Sequence, residues 1–309
     1  MLTLIMKRHA FLQREGIRSR RDRSACSFCS KKQKYLWWRW AAAQRFVRWV
    51  EEHTAEIREQ ALRASRHAEL VALEPSVLGR TVHLTFEYTC GDASGQNMVT
   101  ACTWSACQYI RAQLAQSTLM PLKSFAIETG HSGDKRVTGL TLSRGRGIRV
   151  TAECVLPAQV LRDELKVEPA ALDKYFRLLS SSEAAAGSVG CCINIANSIA
   201  GVFIATGQDI ACVHESSVGI FHLELQADSS IYASITLPCL VVGTVGGGTG
   251  VPQQNECLRM FGCAGAGKVM RFAECITAYC MGLELSTMSA LASDQFAQAH
   301  ERMGRNRPQ

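Results

Sequence analysis

Thr81-Val82-His83-Leu84-Thr85-Phe86-Glu87-Tyr88-Thr89-Cys90 runs directly into Gly91-Asp92-Ala93-Ser94-Gly95-Gln96-Asn97, and this stretch decides the fold class. Val82, Leu84, Phe86 and Tyr88 alternate with Thr81, His83, Thr85 and Glu87, the period of two that marks a half-buried strand. The turn that follows leads into a helical pattern from Asn97 to about Gln116. Upstream, Phe46, Val50, His53 and Ile57 fall on one face of a helix between Ala41 and Ala64. His67 to Leu73 reads as a strand, and Leu122 to Glu128 as another. The order α-β-β-α-β over residues 41–127 is a split βαβ layout lacking its first strand, which makes the chain α+β.

The turn is where chemistry can enter. A strand that passes through glycines into a helix start exposes backbone N–H groups at the positive end of the helix dipole, a favourable place for phosphate. It does not follow the G-x-G-x-x-G dinucleotide pattern, so on spacing alone an ordinary tight turn is the simpler reading.

Residues 128–309 read as a larger unit. A polar turn, Gly130-His131-Ser132-Gly133-Asp134-Lys135-Arg136, is followed by Ser143-Arg144-Gly145-Arg146-Gly147 and a strand over 148–156. A helix is expected near 158–165. Gly187 to Gly190 precedes a long apolar run, Ile193 to Thr206, which ends at Gly207-Gln208-Asp209. A carboxylate in such a run is expected to be paired or working, because an unpaired buried charge is costly. Strands are expected over 219–226 and 231–237. Gly243-Thr244-Val245-Gly246-Gly247-Gly248-Thr249 then leads through Pro252-Gln253-Gln254 into a helix. Three consecutive glycines remove every side chain where a ligand or another backbone must approach closely, although a flexible loop would use them too. A last helix is expected from Val269 to about Arg302, carrying Phe272, Ile276, Tyr279, Leu283, Met288 and Leu291, with His300 near its end.

At 309 residues, with 47% hydrophobic and 20% charged residues, the chain has the composition of a globular protein with one large or two modest domains. Its fourteen cysteines are scattered through apolar runs, and no signal peptide is seen. Reduced, buried thiols in the cytoplasm are therefore expected, with endoplasmic-reticulum association only if the full gene product carries an N-terminal membrane region. The nearest approach to a membrane span, 189–213, holds Asn194, Asn197, Gln208 and Asp209 and reads as a core helix. Residues 1–40 carry eleven of the Lys and Arg against two acids, so of the net charge of +7 they account for +9 and leave −2 for the remainder. This segment reads as a solvated, disordered tail. Its basic run at Arg18 to Arg23 could attract nucleic acid, and Cys26-Ser27-Phe28-Cys29 could hold metal only with a second ligand pair, which is not found nearby. Neither a nucleic-acid partner nor a metal is expected.

Four motifs occur in a telling order: Gly91 to Met98, Thr206 to Asp209, Gly243 to Thr249 with Pro252 to Gln254, and Glu284-Leu285-Ser286 with Ala290-Leu291. Together they resemble the 3-hydroxy-3-methylglutaryl-CoA reductase family, continuously from about Ala41 to Arg307. The triple-glycine loop resembles the eukaryotic-type branch, which uses NADPH. The resemblance implies a ferredoxin-like NADP-binding domain at 41–127 and the C-terminal part of the larger substrate-binding domain at 128–309. It implies NADPH-dependent reduction of hydroxymethylglutaryl-CoA to mevalonate at a dimer interface.

By the same resemblance, Ser65, Arg66, Asp92, Ala93, Ser94, Gly95, Gln96 and Asn97 line the cofactor site, with Gly243, Thr244, Gly246, Gly247, Gly248 and Thr249. Lys135 polarises the reacting carbonyl, Asp209 orients that lysine, and His300 protonates the departing CoA thiolate. Gly130, Asp134 and Arg136, with Asn197 from a neighbouring subunit, bind the hydroxymethylglutaryl group. The sequence also departs from the family. A Glu-Asn-Val-Ile-Gly stretch carrying a further catalytic carboxylate has no counterpart in these residues. Asn194 stands in place of a usual histidine, Arg136 in place of a second lysine, and the usual Asn-Arg pair after His300 is displaced to Asn306-Arg307. These departures imply a truncated or impaired reductase, or else a non-catalytic relative that associates with a full-length homologue.

Overall fold

The structure is a computed structural model that describes residues 10–11, 18–30, 36–79, 81–120, 122–128 and 130–303. Two compact units separate, one spanning Ser19–Arg136 and the other Val137–Gln309 with Met1–Arg18. Chain order begins with a two-residue strand, β1 (Ala10–Phe11), which belongs to the second unit.

The first unit runs β2 (Arg18–Ser30), α1 (Leu36–Glu52), α2 (Thr54–Leu62), β3 (Glu69–Leu78), β4 (Thr81–Thr89), α3 (Gln96–Ala115) and β5 (Leu122–Ile127). β2 pairs antiparallel with β4, from Asp22 opposite Tyr88 to Cys29 opposite Thr81, and on its other edge with β5. β3 pairs antiparallel with the far edge of β4. The sheet order is therefore β3-β4-β2-β5, and with α1 and α2 together filling the first helical position the chain order β-α-β-β-α-β is ferredoxin-like. The first strand, which the sequence pattern lacks, is supplied by residues 18–30, so this part of the expected disordered tail is ordered in the sheet. Two paired edges hold β2 in place through its backbone ladder, so its arginine-rich composition need not meet the usual apolar pattern.

Val82, Leu84, Phe86 and Tyr88 are all buried, as the alternation requires. They pack against Phe46 and Val50 of α1, Ile57 and Ala61 of α2, and Val99, Cys102, Ala106 and Ile110 of α3. Cys26 joins this core, with its Sγ 3.1 Å from that of Cys107. Burial, and the neighbouring thiol, push the Cys26 pKa well above its ordinary value, so it stays protonated. Among the described residues no group of three His, Cys, Asp or Glu is arranged to hold a metal.

The second unit continues with α4 (Gly139–Arg144), β6 (Gly147–Leu156), α5 (Ala158–Asp163), α6 (Pro169–Ala186), α7 (Ile195–Thr206), α8 (Val213–Ser216), β7 (Ile220–Leu225), β8 (Ile231–Leu240), α9 (Pro252–Met260), α10 (Val269–Ala292) and α11 (Gln295–Met303). β1, β6, β8 and β7 lie side by side in that order, all antiparallel. α10 packs across β6 and β8 and also against α6 and α7. Its Phe272, Ile276, Cys280, Met281, Leu285 and Met288 are buried, whereas Tyr279 is 51% exposed.

α10 is long and apolar enough to cross a membrane by length and composition, but half of its most apolar window is buried inside the unit, as in a core helix. The expected single helix to residue 302 is two helices. Ser293 leaves the helical region and Asp294 sits at φ 55°, a left-handed break before α11. α6 was not anticipated, although its signals are present: Pro169 in the first turn, buried Leu172 and Phe176 four residues apart, and Gly187 in the left-handed cap.

Candidate functional site

In the first unit, the turn after β4 uses two left-handed glycines, Gly91 at φ 57° and Gly95 at φ 82°. Gly95 is the N-cap of α3, so no side chain covers that end, and the first helical turn holds no acidic residue. A Cβ added to Gly91 would meet nothing within 4 Å. The result is an uncapped helix start beside an open backbone, with Asp92, Ala93, Ser94 and Gln96 half-exposed and Asn97 exposed. Register explains why Ser65 and Arg66 belong to the same end of the sheet. They lie just before β3, whose first residue, Glu69, pairs with Thr89 at the lip of the turn. Ser65 is held locally, its Oγ accepting the His67 backbone N–H at 3.1 Å.

The polar turn after β5 belongs to the same unit. The Oε1 of Glu128 accepts from the Gly130 N–H at 2.8 Å and from the Ser132 hydroxyl at 3.1 Å, and the Ser132 Oγ accepts the Asp134 N–H at 3.2 Å. Glu128 (φ 60°), Gly130 (φ 79°), Gly133 (φ 73°) and Lys135 (φ 56°) are all left-handed. A lysine held there costs backbone energy, and such outliers cluster at working sites. The Arg136 guanidinium packs on Gly130, where an added Cβ would lie 3.0 Å from its Nη1.

In the second unit, α7 ends at Gly207 (φ 69°), which turns the chain so that Asp209 is half-exposed rather than buried. Asp209 caps the short turn that follows, its Oδ1 accepting the Ala211 N–H at 3.0 Å. The apolar run therefore does not bury the carboxylate: the helix stops at Thr206, three residues before it. A Cβ on Gly207 would lie 2.3 Å from the Gly248 carbonyl oxygen, so the two backbones touch. The Gln208 side chain completes the join, its Oε1 accepting the Gly243 N–H at 2.7 Å and its Nε2 donating to the Gly243 carbonyl at 3.0 Å. At Gly248 the glycine therefore serves another backbone, while Gly246 and Gly247 face open space. Thr244 donates to the Gly265 carbonyl and Thr249 to that of Gly246. Gly207→Ala should lower stability by about 1–3 kcal/mol, from the left-handed backbone and the carbonyl clash together. Urea unfolding checks this, and an unchanged midpoint would show that the 243–249 loop is not held there.

The start of α7 is held by a residue whose role the sequence did not disclose. Glu284 of α10 is fully buried, and its carboxylate accepts from the backbone N–H groups of Ile193, at 2.8 Å, and Asn194. Burial still pushes its pKa up against the lowering effect of those donors. Asn194 donates to Thr287 and accepts from exposed Asn197. His300, on α11, is exposed, with its Nδ1 2.9 Å from the Phe296 carbonyl and its ring against that of Phe296. Lys135 thus belongs to the first unit, and Asp209 and His300 to the second. Asn306 and Arg307 lie outside the described residues.

A second feature missed in the sequence is the Arg146–Glu215 ion pair, with both side chains buried at 3% and 2% exposure. Arg146 was visible only as part of a glycine-rich turn, and no spacing rule links it to Glu215, 69 positions away.

The model of the hydroxymethylglutaryl-coenzyme A reductase family matches residues 27–305. The 3-hydroxy-3-methylglutaryl-coenzyme A reductase of Methanocaldococcus jannaschii is 38% identical over 259 residues, covering 83% of this chain and 64% of that protein. That of Aeropyrum pernix is 38% identical over 271 residues, covering 85% and 63%. The chain thus spans just under two thirds of the length of these curated relatives. The fold is also similar to that of the class II reductase from Streptococcus pneumoniae, solved bound to NADPH, with a TM-score of 0.66 and 16% identity over 98% of this chain and 70% of that one. From the continuity of the match, the chain belongs to the hydroxymethylglutaryl-coenzyme A reductase family.

Proposed function

We propose that this chain carries the cofactor-binding unit and the C-terminal catalytic part of an NADPH-dependent reductase that converts hydroxymethylglutaryl-CoA to mevalonate and CoA. The observation that carries the reading is the family match over residues 27–305, which includes both the uncapped helix start at Gly95 and the Gly207–Gly248 junction. An NADPH phosphate suits the first of these: a helix start with no side-chain cap, no first-turn acid and no Cβ in the way. When bound, the cofactor supplies hydride.

The protein's own groups do the rest. Lys135 places positive charge where oxyanion character develops on the thioester and then on the aldehyde. Asp209 holds that lysine charged and oriented. His300 gives a proton to the leaving thiolate. Gly130, Asp134 and Arg136, with Asn197 of a second subunit, hold the hydroxymethylglutaryl group, so the working form is a dimer or an assembly with a full-length homologue. A cytoplasmic setting accompanies this reading, and the described residues add no support for attachment to the endoplasmic reticulum.

Lys135→Met tests the assignment. Reduction of the free aldehyde, followed by loss of NADPH absorbance, should fall by about 10²–10³-fold while NADPH affinity is retained, the loss typical of removing one oxyanion donor. Unchanged aldehyde reduction would remove Lys135 from the site.

A further inference from the structure

The loop that carries Lys135 is fastened to the sheet by two histidines. His131, exposed in the loop, stacks on His83, half-buried on β4, with ring centroids 4.7 Å apart and planes 17° from parallel. Glu128 also binds Gly130 and Ser132 from within the loop itself. The stack is therefore a contact that ties residues 130–136 to β4. We propose that His131 and His83 are positioning residues: a proton-sensitive clasp that docks the Gly130–Arg136 loop on the sheet and so sets the place of Lys135. The consequence for reactivity rests on the proposed role of Lys135; the docking does not.

Stacked neutral imidazoles attract, whereas two imidazolium rings at this spacing repel. Burial, and then the neighbouring His131, lower the pKa of His83 from its ordinary 6.5. The sign follows. A depressed histidine favours the folded arrangement in full above about pH 6.5, and the advantage is lost as pH falls through the lower, folded value.

The surrounding charges modulate this. On β4, Glu87 shares the face of His83. On β3, register sets Ser76 opposite His83 and Glu74 opposite Thr85. On β2, it sets Ser27 opposite His83 and Arg23 opposite Glu87, and on β5 Ala126 opposite Ser27. The loop contributes Glu128, Asp134, Lys135 and Arg136.

The test is an NMR titration of the full chain from pH 8 to 5, observing the histidine ring Cε1–H signals and the amides of Gly130, Gly133 and Lys135. His83 should titrate below 6.5, and the loop amides should move with the two histidines. His131→Phe, made on an exposed ring and so safe for folding, should raise the His83 midpoint and cut the pH response of the loop amides at least threefold. The pair His83→Tyr with His131→Tyr, which keeps the stack without the charge, should leave the loop signals at their pH 8 positions throughout. Loop amides that stay silent while His83 titrates, or a His83 midpoint unmoved by His131→Phe, would overturn the clasp. Lys135→Met separates the two claims: with the clasp titrating normally and aldehyde reduction unaffected by that change, the positioning role fails together with the catalytic reading of Lys135. With the clasp silent and aldehyde reduction abolished, only the clasp fails.

Discussion

Purified residues 1–309 should oxidise NADPH with hydroxymethylglutaryl-CoA at least about 100-fold more slowly than a full-length family member, because the 309 residues contain no Glu-Asn-Val-Ile-Gly carboxylate. A general acid of that kind typically contributes about 10²–10⁴-fold. On the proposed reading, its absence alone would slow reduction of the aldehyde and leave Lys135 and Asp209 to polarise the carbonyl. The larger effect is positional. The chain spans 64% of the M. jannaschii relative, so the rest of that protein, with any substrate wall it supplies, has no counterpart in these residues. Positioning can account for roughly 7–11 kcal/mol of a barrier, which makes it the dominant loss. Absorbance assays with the thioester and then the free aldehyde check the prediction. Family-level turnover of both would show that another acid and another wall do the work. Turnover restored only by adding a full-length homologue would favour the associating relative instead.

Arg146→Ala should destabilise the second unit by about 3–5 kcal/mol, since it strands a buried carboxylate. The Arg146 Nε donates to both Glu215 oxygens, at 3.0 and 2.9 Å, and its Nη2 to Oε1 at 2.5 Å and to the Cys212 sulfur at 3.4 Å. The Cys239 thiol donates to Glu215 Oε2 at 3.6 Å, and burial with that carboxylate raises its own pKa strongly, so it cannot take over as a cation would. The glycines on either side have no room to shift: a Cβ on Gly147 would lie 2.4 Å from the Leu240 carbonyl oxygen. Arg146 is therefore fixed in place and Glu215 cannot follow a new partner. Against a typical total of about 5–15 kcal/mol, the loss is a large fraction. Replacing both members with apolar residues, Arg146→Met with Glu215→Leu, should recover most of it. Urea midpoints decide the matter, and a drop below about 1 kcal/mol for Arg146→Ala would mean that water reaches Glu215.

What the sequence disclosed follows from where side chains, rather than backbone, determine the structure. The alternation from Val82 to Tyr88 located β4 because only one face of it meets the helices. The glycines of the turn located the start of α3 because an uncapped, left-handed entry needs them. β2 was hidden because a strand paired on both edges is held by its ladder, and its arginines masked the pattern. The half-exposure of Asp209 was not legible because an apolar run says nothing of where Gly207 will end the helix. The triple glycine was ambiguous between ligand and backbone, and the structure uses Gly248 for a backbone while leaving Gly246 and Gly247 open. Glu284 and the Arg146–Glu215 pair depend on contacts across 69 to 91 positions, which no local pattern encodes.

The most direct test of the central claim is a fluorescence titration of the full chain with NADPH, repeated with NADH and with Asp92→Ala. The family reading of the 91–97 turn predicts saturable binding that favours NADPH over NADH and is weaker in Asp92→Ala, with the fold unchanged by circular dichroism. Equal affinity in Asp92→Ala, or a preference for NADH, would contradict it.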